Sequence, residues 1–155
     1  MISNMEKNLI DLLQEETELQ FSSFTSEDAL KIGNLLINKA KKISAIITID
    51  ITRHGHQLFH YSFDGTSPDN DEWVKRKIRV VNRFGHSSFF IGQKLKSENT
   101  TIEKASLLKE SEYAPHGGSF PIIIKNVGPV GTITVSGLAQ EEDHKLVIEA
   151  IREYL

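Results

Sequence analysis

Three groups of residues in this 155-residue chain have types and spacings that could do chemistry. The first is a basic stripe. Arg76, Arg79 and Arg83 fall at i, i+3 and i+7 within Trp73 to Phe84, so on a helix they share a face, with Lys75 and Lys77 close by. Guanidinium groups aligned in this way can clamp a carboxylate or phosphate through paired hydrogen bonds. The same stripe could equally be a solvated face, or pair with acids of a neighbouring subunit. The second group is His116-Gly117-Gly118-Ser119. Successive amides after glycine can form an anion-binding nest, and His116 adds a ring that titrates near neutrality. A tight turn into a strand explains the same glycines. No helix start follows the loop, so it is neither a P-loop nor a dinucleotide fingerprint.

The third group is histidine. His54, His56 and His60 lie in one hairpin. His56 and His60 share a strand face but stand about 13 Å apart along it, too far for one ion. His54 and His56 flank the turn and could converge on a metal, and His86 is a further candidate ligand. Surface or interface histidines are the alternative for all of them. Asp143-His144 with Ser136 does not make a serine hydrolase, because Ser136-Gly137 ends a strand without a Gly-x-Ser-x-Gly elbow. Asp143 reads instead as an acid in the first turn of the last helix.

Composition narrows the classes. The formal net charge is −3, and aromatics do not interleave with the basic residues, which argues against nucleic acid. There is no cysteine, so disulfides, thiolate metal sites and a thiolate haem ligand are excluded. With 39% hydrophobic and 25% charged residues, the composition is that of an ordinary globular protein. No apolar run suggests a signal peptide or a membrane span, so a cytoplasmic protein with no membrane partner is expected.

The elements that must position these groups follow from periodicity. A helix is expected over Ser3 to Gln20, with Met5, Leu9, Leu12 and Leu13 on one stripe and an acidic end prone to fraying. Leu19 to Phe24 reads as a short edge strand. Thr25 or Ser26 caps a helix reaching Lys42. Ile43 to Ile51 and His56 to Phe63 form a hairpin around His54-Gly55. Asp69 with Glu72 reads as a capping box for the helix carrying the arginines, which bends at Gly85 and continues through Leu95. A shorter helix starts at Thr100 or Thr101 and ends near Glu112. Strands Ile122 to Lys125 and Val130 to Ser136 follow a loop bracketed by Pro115 and Pro121, and Gln140 to Leu155 closes the chain as a helix. Hairpins without βαβ units imply an antiparallel sheet with flanking helices, hence an α+β fold, in a single domain over residues 1–155.

The pattern Gly117-Gly118-Ser119-Phe120-Pro121-Ile122, then Val130-Gly131 through Val135-Ser136-Gly137, then Glu142-Asp143-His144, resembles the haem-degrading HbpS-like family. That family takes in GlcG proteins and the C-terminal domain of PduO. The segments Trp73 to Lys77 and Arg83 to Ser88 resemble an uncharacterised branch of it, and the likeness runs over nearly the whole chain. It implies a profilin-like sandwich that assembles into homo-oligomers, some of whose relatives bind haem or corrinoid-related ligands. On that basis the expected site lies between the His116–Ser119 loop and the helix of Arg76, Arg79 and Arg83. Haem is a possible ligand there, with propionates on arginine and iron on a histidine. Two other readings stand beside it: a structural oligomer with no small ligand, and an enzyme acting on a small anionic metabolite.

Overall fold

The computed structural model describes residues 1–155. Its ten elements are α1 (Asn4–Glu18), α2 (Ser26–Lys42), β1 (Thr48–Arg53), β2 (His56–Ser62), α3 (Pro68–Phe84), α4 (Ser88–Ser97), α5 (Ile102–Ser106), β3 (Ser119–Ile124), β4 (Gly128–Ser136) and α6 (Gln140–Tyr154). The four strands form one antiparallel sheet in the order β2-β1-β4-β3. Helices flank it, giving the α+β, profilin-like sandwich expected. No helix is long and apolar enough to cross a membrane.

The period-2 alternation of the strands decides which helix goes where. Ile47, Ile49 and Ile51, then Phe120, Ile122, Ile133 and Val135, point to one face and are buried against α2 and α6. Ala29, Ile32, Leu36 and Ala40 of α2 meet Val147, Ala150 and Ile151 of α6 there. The opposite face carries Thr48, Asp50, Ser119, Thr132, Thr134 and Ser136, all of them buried. Helix α3 covers this polar face, contributing Val74, Lys77 and Val81 as its buried side chains alongside Val80. Val80 belongs to a second, smaller core with Leu12 of α1, Phe90 and Ile91 of α4 and Ile102 of α5.

Helix starts follow capping chemistry. Ser3 with Glu6 and Thr25 with Asp28 each make a capping box. The third helix starts differently from expectation. Its N-cap is Ser67, boxed with Asn70, and Pro68 takes the first turn, where its missing amide costs nothing. Nor does the helix bend at Gly85. Gly85 adopts φ 74 as a left-handed cap, its amide donating to the Val81 carbonyl, and Ser87 starts a separate helix. The strand expected from Ile43 starts only at Thr48, because α2 is capped at Ile43 and Ser44 turns the chain with φ 54. Leu19 to Phe24 contributes a single parallel bridge, Phe21 to Ile124, rather than a strand. The short helix ends at Ser106, not near Glu112, with Leu107 left-handed. The acidic end of α1, expected to fray, is fastened. Glu15 pairs with His144, Glu16 with His86, and Glu18 with Arg152.

Candidate functional site

The cavities that take in the expected site residues lie on the polar side of the sheet. The largest, about 810 Å³, lies among α1, α3, α4, α5, the loop before β3 and the start of α6. Trp73 and Arg76 of α3, Phe89 of α4, Tyr113 and His116 of the loop, and Lys96 at the rim line it. The Arg76 guanidinium lies over the Trp73 ring at 4.2 Å, and its Nε donates to the Glu72 carbonyl at 3.3 Å. The His116 ring stands edge-on to Trp73, with centroids 5.9 Å apart. Removal of water around that ring pushes its pKa below the ordinary value. The Lys77 and Arg76 charges push the same way, and Glu110 opposes them.

The basic stripe divides along the helix. Arg76 enters the cavity. Arg79 is exposed and its Nη1 donates to the Glu112 carbonyl at 3.0 Å, pinning the loop that forms one wall. Arg83 is exposed near the other end of α3 and does not line this cavity. Helical spacing aligns the three on one face, but only the turn nearest the loop meets the cavity.

The glycine loop is turned inward. The Gly117 amide donates to Gln140 Oε1 at 3.1 Å, and the Ser119 amide to Ser88 Oγ at 3.0 Å. Ser119 Oγ is hydrogen-bonded to Thr134 Oγ1 at 2.9 Å. Two of the amides expected to face an anion are therefore used inside the protein. Gly118, at φ 139, has a different constraint: a Cβ there would stand 2.4 Å from the Val135 carbonyl oxygen and 2.6 Å from Lys77 Nζ.

Lys77, which the sequence places beside the basic stripe, is instead buried on the inner side of α3. It is 4% exposed, with Nζ donating to Asp143 Oδ2 at 3.0 Å and to the Val135 carbonyl at 3.1 Å. Asp143 Oδ1 accepts the Leu138 amide at 2.9 Å, so the carboxylate joins α3 to the start of α6 as well as serving its first turn. Burial lowers the Lys77 pKa, against the pull of Asp143, and burial raises that of Asp143, against the pull of Lys77. The signal lay in the periodicity. Lys77 follows Val74 by three and precedes Val81 by four, the core-facing stripe of α3, inside a run that reads as solvated. The pair lines a second cavity of about 380 Å³ that shares Trp73, His116 and Gln140 with the first.

The hairpin histidines have different surroundings. His54 sits in the turn with φ 52 and lines a third cavity of about 530 Å³, together with Asn82 and Thr132. His56 is exposed at the start of β2, opposite Arg53. His60 bridges two carboxylates, with Nδ1 3.1 Å from Asp50 and Nε2 3.1 Å from Asp71. Asp50 also accepts from Thr52 and Gln57. His86 Nδ1 lies 2.7 Å from Glu16, whose other oxygen accepts the Ser87 amide. No group of three or more histidine, aspartate or glutamate side chains gathers where it could hold a metal ion.

Residues 24–152 match the family model described as haem degrading protein HbpS-like. A UPF0303 protein of Streptomyces coelicolor is 46% identical over 94% of this chain and 92% of its own length. A UPF0303 protein of Psychromonas ingrahamii is 44% identical over 98% of this chain and 96% of its own. Among solved structures, the Ybr137w protein superposes with a TM-score of 0.88 at 35% identity, over 94% of this chain and 86% of that one. HbpS gives 0.67 at 20% identity, over 88% and 92% of the two chains. A haem complex of PduOC gives 0.71 at 12%, over 84% and 94%. The last two likenesses are of fold.

Proposed function

The chain belongs to the HbpS-like family, and on that premise we propose that it is a cytoplasmic tetrapyrrole-binding domain that assembles with copies of itself. The observation that carries this reading is the shared cavity of His116 and Arg76. Its volume of about 810 Å³ falls within the range of roughly 300–1,000 Å³ common for small-molecule sites. Trp73, Phe89 and Tyr113 supply flat apolar walls, while Arg76 and Lys96 supply cations for a ligand's carboxylates. The depressed pKa of His116 favours the neutral imidazole, the form that ligates a metal.

These residues fit haem. His116 would hold the iron, Arg76 and Lys96 the propionates, and the aromatic side chains the ring faces. Bound haem would supply redox-active iron. The chain's own part is to orient the ligand and to keep water from one side of it. The contact of Arg76 with Trp73 sets the guanidinium in place before binding, and the bond of Arg79 to Glu112 keeps the loop wall closed. Self-assembly is supported by apolar side chains left at the surface, Ile10 and Leu13 on α1 and Ile43 and Ile46 after α2.

A haemin titration followed by absorbance and by size-exclusion mass tests this. A saturable band shift at stoichiometric ratio, on a species larger than one chain, is expected. A rise that never saturates would mean adsorption to apolar surface and leave an oligomer without a tetrapyrrole site.

A further inference from the structure

We propose that the smaller cavity beside His116 is a carbonyl-binding site, in which Lys77 takes up a short, uncharged aldehyde or ketone as an imine. This does not depend on tetrapyrrole binding.

The geometry starts from Lys77. A buried lysine needs acceptors, and an ammonium has three N–H donors. The fold supplies two, Asp143 Oδ2 at 3.0 Å and the Val135 carbonyl at 3.1 Å. The third position of the nitrogen is left without a protein acceptor, on a side chain that lines a cavity of about 380 Å³. Gly118 lets the loop pass beside the nitrogen, since a Cβ there would stand 2.4 Å from the Val135 carbonyl oxygen and 2.6 Å from Nζ. Asp143 is held in place by the Leu138 amide, so its second oxygen stays aimed at Lys77.

An amine attacks a carbonyl only when it is unprotonated, and this pair can make it so. Burial disfavours both charges, lowering the Lys77 pKa and raising that of Asp143. One proton passing from Nζ to Oδ2 gives an amine beside a carboxylic acid. The amine then adds to the carbonyl carbon while Asp143 gives that proton to the oxygen. The proton now on nitrogen returns to Asp143, leaving a neutral carbinolamine. Its hydroxyl leaves as water with the Asp143 proton, and the nitrogen lone pair closes the C=N bond. The ammonium–carboxylate pair and one carbonyl compound have become an iminium–carboxylate pair and one water.

The lining sets the ligand class. Asp143 neutralises the nitrogen, and the other carboxylate at the cavity is Asp69. An anionic oxo acid finds no free cation there. Asn70, Ser136 and Gln140 offer hydrogen bonds to a neutral oxygen or hydroxyl instead.

The test uses the haemin-free full chain, propionaldehyde and cyanoborohydride at pH 7, with peptide mass mapping. Exposed lysines are almost wholly protonated at that pH, so Lys77 is expected to carry the reduced adduct at least about tenfold ahead of any other lysine. Lys77→Met should lose that adduct and keep the slow background elsewhere. Asp143→Asn should slow it. Pyruvate should label Lys77 more slowly than propionaldehyde, and equal or faster labelling would overturn the uncharged class. Adducts on exposed lysines with Lys77 unmodified would overturn the site. That outcome is read in the unsubstituted protein, so it stands even where a variant fails to fold.

Discussion

The two faces of the one sheet carry opposite chemistry. On the α2–α6 side, Ile49, Ile51, Phe120, Ile133 and Val135 are fully buried among other apolar groups. On the α3 side, Thr48, Asp50, Thr132, Thr134 and Ser136 are buried almost as deeply, with Lys77 and Asp143 beside them. The first face holds the fold together by removing apolar area from water. The second keeps polar groups at fixed positions, and the cavities containing His116, Arg76, Lys77 and His54 open on that side. One α+β sandwich thus assigns cohesion to one face and candidate chemistry to the other.

Substitutions should have their largest effect on the apolar face. Phe120→Ala should cost about 4 kcal/mol in urea unfolding, because it removes a fully buried ring and leaves a cavity in the core. On the polar face, Asp143→Ala should cost about 3 kcal/mol by stranding a buried ammonium, whereas Lys77→Met with Asp143→Leu together should recover most of that loss. If the double variant is no better than the single one, the pair is not the origin of the cost. Smaller still is Thr132→Val. The Thr132 hydroxyl is buried without a partner, so its removal should leave stability unchanged or raise it by up to about 1 kcal/mol. A loss would reveal a partner that the fold conceals.

Outside both faces, the Tyr154 hydroxyl donates to Asp28 and joins α6 to α2. That hydrogen bond, with some burial behind it, pushes the Tyr154 pKa up from 10.0 to about 12. A pKa raised on folding gives a contribution that is complete below the unfolded value and fades as pH rises toward the folded one. Stability should therefore fall between pH 10.0 and about 12, and Tyr154→Phe should flatten that part of the profile.

The parts of the fold legible in sequence were those fixed by local chemistry. Thr25 and Asp28 start α2, and its stripe of Ala29, Ile32, Leu36 and Ala40 names its buried face. Strand β4 shows its two faces by alternation alone. Where long-range packing decides, sequence reading went astray. Ile43 to Ile47 alternates like a strand, yet the chain must first turn off α2 at Ser44 to reach the sheet. The amides of Gly117 and Ser119 looked free, but Gln140 and Ser88, distant in sequence, occupy them. Lys77 and Asp143 meet across 66 positions, and nothing local announces the partner. The basic run around Lys77 hid its place on the inward stripe. Of the expected site, Arg76 and His116 came together at one cavity because α3 and the loop are pinned by Arg79 and by the Ala114 amide, which donates to the Arg76 carbonyl at 3.1 Å.

On the proposed reading, binding belongs to the α3 side of the sheet. Backbone amide NMR during haemin addition tests it most directly, because paramagnetic iron broadens the signals nearest to it. Loss of signal centred on Trp73, Arg76, Phe89, Tyr113 and His116, with α2 unaffected and the effect abolished by His116→Ala, is the predicted result. Broadening along α2 and the outer face of α6, or an unchanged pattern in His116→Ala, would contradict it.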